Sequence, residues 1–139
     1  MAINTTRVCR RHILAGLGVL LLLQSARQAA IAAPQSFLIF FDKHASILTT
    51  PAKQLVARVK DLIKPSSRVT ITGHCDTSES EPDKLSLARA MEIQKELVTS
   101  GIPAGATLIV SGKGTSQPRT VTGPNVSDVT NRNAAITIE

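Results

Sequence analysis

Asp76 and Arg89 are the side chains of this chain whose types and spacing best combine into a binding site. Asp76 follows the run Arg68-Val69-Thr70-Ile71-Thr72, where Val69 and Ile71 alternate with polar residues as in a half-buried strand until Gly73 breaks the run. Arg89 lies in Leu85-Ser86-Leu87-Ala88-Arg89-Ala90, part of a segment rich in helix formers from Asp83 onward. The carboxylate therefore sits just past a strand end and the guanidinium in the first turns of the next helix. In α/β folds that edge is where ligands bind. Such a pair can grip a zwitterion, the Asp taking an ammonium and the Arg a carboxylate through its planar fork. The alternative is a plain salt bridge at a helix start, with the Arg89 stem lying along the sheet edge.

The elements that must position this pair are legible on either side of it. Phe37-Leu38-Ile39-Phe40-Phe41 is continuously apolar, as expected of a strand covered on both faces, and Asp42 ends it. Thr49-Thr50-Pro51 reads as a helix start, with a Thr N-cap and Pro at the first helical position. Leu55, Val56, Val59, Leu62 and Ile63 recur at helical spacing, and Pro65 closes that helix before the Arg68 strand. After Asp76, residues 77–82 form a polar loop, and either Ser80 or Asp83 caps the second helix, whose buried stripe is Leu85, Ala90, Ile93 and Leu97. Thr107 to Ser111 is a third strand, and Ala134 to Ile138 a fourth beyond a polar stretch. The order β-α-β-α-β-β, with long crossovers between the first three strands, predicts an α/β sandwich whose sheet contains parallel pairs.

The residue types suit recognition better than turnover. Hydrolysis needs a nucleophile with a base, two carboxylates across a cleft, or three metal ligands with an open position. The compact cluster His74-Cys75-Asp76 alternates faces if the strand continues, so it does not converge on one metal. No catalytic residue, metal or cofactor is expected. Cys75 is read as a small buried side chain, with a thiol-dependent enzyme or redox sensor as the competing reading, and His74 as a structural residue.

Composition narrows the partner. Phe37, Phe40 and Phe41 are the only aromatics, which leaves base or sugar stacking poorly provided for. The formal net charge is +6, but Arg7, Arg10, Arg11 and Arg27 precede Ala33 with no acidic residue among them, leaving 12 basic against 10 acidic side chains in the remainder. That balance gives no electrostatic footprint for nucleic acid. The basic leader, the apolar run Ile13 to Leu23 and the small residues up to Ala33 have the layout of an export signal. Residues 1–32 are expected to be removed at Ala30-Ile31-Ala32, leaving a domain over 33–139 without a membrane span. The run is shorter than the roughly 20 residues of a spanning helix. If the leader is retained, the alternative is an anchor in the inner membrane.

Gly73-His74-Cys75-Asp76, then Leu85-Ser86-Leu87-Ala88-Arg89-Ala90, then Gly112 and Gly114, then Asn131-Arg132 together resemble the OmpA-like C-terminal domain, over about Phe37 to Ile138. That resemblance implies two helices against one mixed four-stranded sheet and non-covalent binding of peptidoglycan in the periplasm, associated with the wall or outer membrane. By the resemblance, Asp76 and Arg89 hold the diaminopimelate of the stem peptide, whose side-chain end carries both an ammonium and a carboxylate. Arg132 adds a second contact or is a solvated charge, and Asn131 touches the ligand or holds the loop. Three positions depart from the family pattern: the loop from Asp76 to Leu85 is shorter and lacks Gly, Pro82 replaces the loop Asn, and Asn133 replaces the second Arg. All three lie on the binding edge. They leave open a fold that has lost the wall ligand and serves contacts with other envelope proteins.

Overall fold

The computed structural model describes residues 33–139; the expected export signal over 1–32 lies outside the described residues. Strands β1 (Gln35–Phe40), β2 (Arg68–Gly73), β3 (Thr107–Gly112) and β4 (Asn133–Ile138) form one sheet with helices α1 (Thr50–Lys60) and α2 (Pro82–Thr99) in the order β1-α1-β2-α2-β3-β4, and a 3-10 turn, Val129–Asn131, precedes β4. The spatial order is β1-β4-β2-β3. β4 is antiparallel to both neighbours, pairing Phe37 with Ile136 on one side and Ile71 with Ile136 on the other. β2 and β3 run parallel, with Ile71 opposite Val110. The fold is therefore α+β, two helices on a mixed four-stranded sheet.

Alternation sets which face of the sheet meets the helices. Val69 and Ile71 of β2 and Ala134, Ile136 and Ile138 of β4 point into the core, where they meet Val56 and Val59 of α1 and Ala90, Ile93 and Leu97 of α2. Among the described residues, no helix is long and apolar enough to cross a membrane.

Three local expectations are corrected. The apolar run at Phe37 is an edge strand, not one covered on both faces: Ile39 is buried but Phe40 is 46% exposed. Continuous apolarity does not distinguish a central strand from an edge strand that also contributes a half-exposed face. Leu62 lies beyond the end of α1 and is exposed, because the chain tightens after Lys60 into a turn in which Asp61, Leu62 and Ile63 donate to carbonyls three residues back. The N-cap of α2 is Glu81, in the left-handed region at φ 46° and without a side-chain capping bond, in place of Ser80 or Asp83. The start of α1 keeps the Thr cap that the sequence suggests, but Pro51 is its second helical residue and not its first: Thr49 Oγ1 accepts from the Ala52 N–H at 3.4 Å.

The helix that carries Arg89 is pressed unusually close to the sheet. A Cβ at Gly73 would collide with the Ser86 carbonyl, and one at Gly112 would meet the Leu87 N–H and Ser86 Oγ. Ser86 is buried, donates from Oγ to the Asp83 carbonyl (3.0 Å) and accepts from the Gly114 N–H (2.9 Å). The Gly112/Gly114 pair and the Leu-Ser motif are thus two sides of one contact that fixes the depth of α2 against β2 and β3.

Candidate functional site

Helical spacing alone puts Arg89 inside the molecule. The buried positions of α2 are Ser86, Arg89, Ala90, Ile93 and Leu97, so Arg89 shares its stripe with Ile93 and Leu97 at successive four-residue steps. Its guanidinium has no exposed surface. A buried cation survives only if it is paired and its donors are satisfied, and every nitrogen of Arg89 is engaged. Nε donates to the Ala45 carbonyl (2.8 Å), Nη1 to the His74 carbonyl (2.9 Å) and Cys75 Sγ (3.3 Å), and Nη2 to the Asp42 carbonyl (3.1 Å). The group also lies 5.2 Å from the centre of the Phe41 ring.

The counter-ion of Arg89 is Glu79, not Asp76. Glu79 meets the guanidinium bidentately, Nη1 to Oε2 at 2.9 Å and Nη2 to Oε1 at 2.6 Å. Its carboxylate also accepts from the backbone N–H groups of His44 (2.8 Å) and Asp76 (3.1 Å). Burial pushes the Glu79 carboxyl upward, but the bonds from Arg89, His44 and Asp76 outweigh it and hold the group below its ordinary value.

Asp76 pairs with Arg132. Its Oδ2 accepts from Arg132 Nη1 (2.7 Å) and the Asp128 N–H (3.0 Å), and its Oδ1 from the Ser78 N–H (2.9 Å) and hydroxyl (2.8 Å). Here too burial pushes the carboxyl up, and the Arg132 and Ser78 bonds, with that from Asp128, bring it down to about 2. Arg132 further donates from Nη1 to Ser127 Oγ (3.0 Å) and from Nε to the Phe41 carbonyl (3.3 Å). Among the described residues its Nη2 has no hydrogen-bond partner, and its side chain is 12% exposed.

The acid and base singled out by the sequence therefore lie at one edge, each with a different partner: two ion pairs side by side, joined by the bond from the Asp76 N–H to Glu79. Asn131 is buried, and its amide spans the Thr120 backbone, accepting from the N–H (2.9 Å) and donating to the carbonyl (2.7 Å). It holds the 119–128 loop, which Thr77 ties to the Asp76 loop by donating to the Gly123 carbonyl (2.7 Å) and accepting from the Val126 N–H (3.0 Å).

Cys75 is buried, with Sγ donating to the Pro82 carbonyl at 3.4 Å; burial, opposed by Arg89 and reinforced by Glu79, pushes the thiol up to about 12. A thiol so held is protonated at neutral pH and lacks nucleophilic character. His74 carries a buried Nδ1 without a partner, and burial together with the Lys113 charge lowers its pKa. The hydrogen bond expected of a structural histidine is absent at that atom. Among the described residues, no group of three or more His, Cys, Asp or Glu is placed to hold a metal.

Sequence reasoning missed Glu79. Two signals pointed to it: Arg89 shares the apolar stripe of α2 and so needs a buried partner, and the short loop before it carries Glu79 and Glu81.

An outer membrane protein of Gluconacetobacter diazotrophicus is 31% identical over 112 residues, a match that covers 73% of this chain and 29% of the relative's length. The peptidoglycan-associated lipoprotein from Burkholderia pseudomallei superposes with a TM-score of 0.65 at 18% identity, over 73% of this chain and 89% of that one. A putative MotB-like protein from Desulfovibrio vulgaris gives 0.61 at 24% identity, over 76% of this chain and 75% of that one. The model of the OmpA family matches residues 40–132, and the chain belongs to that family.

Proposed function

We propose that this chain is a non-catalytic module of the bacterial cell envelope that binds peptidoglycan, receiving the diaminopimelate end of a stem peptide at the edge built by Asp76, Arg89 and Arg132, with Asn131 holding the loop that frames it. The observation that carries the reading is the convergence of two carboxylates and two guanidiniums on one strand-end edge of an OmpA-family fold, with Arg132 Nη2 left over to take a further carboxylate. A relative named for its association with peptidoglycan supports the same ligand. Export by a cleaved signal over residues 1–32 would put the module in the periplasm, and N-terminal sequencing of the exported protein tests that step.

The function is tested by co-sedimentation of the protein with purified diaminopimelate-type sacculi. Retention of the wild type, competed by free meso-diaminopimelate and lost in Arg132→Ala with unchanged circular dichroism, is the expected result. A second reading, a module for protein contacts that no longer binds the wall, is favoured by the engagement of every Arg89 nitrogen within the chain. Absence of the wild type and all variants from the pellet would select it.

A further inference from the structure

The donors around Glu79 form a complete carboxylate seat, and the carboxylate in it belongs to the chain itself. Arg89 supplies two N–H groups in its fork, and the His44 and Asp76 backbone N–H groups supply the others, at 2.6 to 3.1 Å. The seat is built, not incidental. His44 is held in the left-handed region at φ 58°, in the turn whose Asp42 and Ala45 carbonyls accept from Arg89, so the same turn fixes the guanidinium and aims an N–H beside it. Arg89 itself is locked in the apolar stripe of α2.

By contrast, the residues just after Glu79 are lightly held. Ser80 and Glu81 are exposed, and Glu81 sits at φ 46° with no capping bond. Before Glu79 the loop is pinned by Thr77, bonded to the Gly123 carbonyl and the Val126 N–H, and by Ser78 on Asp76 Oδ1, while the Glu79 N–H donates to the Asp76 carbonyl at a long 3.3 Å, so the movable part is the Glu79 side chain and the two residues after it. Outside the seat, a cleft of about 240 Å³ opens between His44, Ser80, Glu81, Lys84, Leu85 and Ala88.

We infer that Glu79 is an internal ligand: it fills the place that a wall peptide's carboxylate takes on Arg89, and binding proceeds by exchange of one carboxylate for the other. The inference rests on the peptidoglycan reading above and makes Glu79 the residue that sets affinity for that ligand. Exchange keeps Arg89 paired throughout, which opening alone would not, since an unpaired buried guanidinium is strongly destabilising. The departing side chain opens the seat toward the cleft, which is left for the rest of the ligand.

The test compares the wild type with Glu79→Ala, which removes the atoms that acetate restores, and Glu79→Gln, which keeps an oxygen for one arm of the fork and preserves the fold if the alanine variant fails. Melting is followed in acetate, in meso-diaminopimelate and in chloride of matched ionic strength, and sedimentation with sacculi is measured alongside. Glu79→Ala should melt on the order of 10 °C below the wild type. Saturating acetate or meso-diaminopimelate should recover roughly 10 °C of that loss, and raise the wild type by much less, because there the ligand must first displace Glu79. Glu79→Gln should sediment with at least about tenfold higher affinity than the wild type.

If neither carboxylate raises a Glu79 variant more than the wild type, the seat is not a ligand site and the inference falls. If wild type and Glu79→Gln sediment equally, Glu79 does not compete and the inference falls while the wall reading stands. If acetate rescues Glu79→Ala but nothing sediments, the seat stands and the wall reading fails.

Discussion

Asp76 and Glu79 reach the same electrostatic state by different partners: each is fully buried, each accepts four hydrogen bonds, and each is held below the ordinary carboxyl range against the upward push of burial. A folded-state pKa below the unfolded one stabilises the fold above the unfolded value, and the contribution is lost as pH falls through the folded value. For Asp76, held at about 2 against an ordinary 3.8, this amounts to about 2 kcal/mol at neutral pH. Urea unfolding should therefore report stability falling between about pH 4 and about pH 2, with a shallower fall in Asp76→Asn. A slope unchanged in that variant would assign the acid sensitivity elsewhere. Cys75 makes the opposite case, a thiol pushed up to about 12 by burial. It should resist iodoacetamide in the native protein at neutral pH and react promptly once denaturant is added. Fast native alkylation would reopen the thiol-dependent reading.

At the scale of elements, the depth of α2 decides where Arg89 sits, and Gly73 and Gly112 decide that depth. Gly73→Ala forces a Cβ into the Ser86 carbonyl, backbone that cannot swing aside, and should cost about 3 kcal/mol, read as a lowered urea midpoint. The start of the same helix is under-optimised. Glu81→Asn places a good capping residue, tolerant of the left-handed region, at φ 46° and should stabilise by about 1 kcal/mol; an unchanged melting temperature would mean that the loop already relaxes there. What the sequence made legible follows the same physics. Alternation in Val69 and Ile71 and the Thr49-Pro51 start depend on neighbouring residues, so β2 and α1 could be read directly. The edge position of β1 depends on which strand pairs with which, and five apolar residues in a row carry no such information. Asp76 and Arg89 were correctly brought to one edge, but their pairing was not legible. A buried charge takes its partner from loops that meet only after folding, and two acids close together in the chain, Asp76 and Glu79, had two bases far apart in it, Arg89 and Arg132, to choose between.

Across the whole molecule, the Arg89–Glu79 pair ties together the 42–45 turn, the end of β2, the 77–81 loop and α2, parts of the chain far apart in sequence. A pair in this position can serve two ends, holding the fold together or holding a place for an outside ligand, and a double-mutant cycle quantifies the first. Arg89→Met leaves the Glu79 carboxylate buried without its fork, and Glu79→Leu leaves the guanidinium without its carboxylate, so each alone should cost about 3–5 kcal/mol. The double variant removes both charges and fills much of the same volume with apolar atoms. It should be less destabilised than either single variant, although the Asp42, Ala45 and His74 carbonyls would still lose their donor. A coupling above about 3 kcal/mol, measured by urea unfolding, is the expected outcome. Additive losses would mean that the carbonyl bonds of Arg89, not its pairing with Glu79, carry the structural load. In that case the contact between Glu79 and the guanidinium could open at little cost, and exchange for an outside carboxylate on Arg89 would be correspondingly easier.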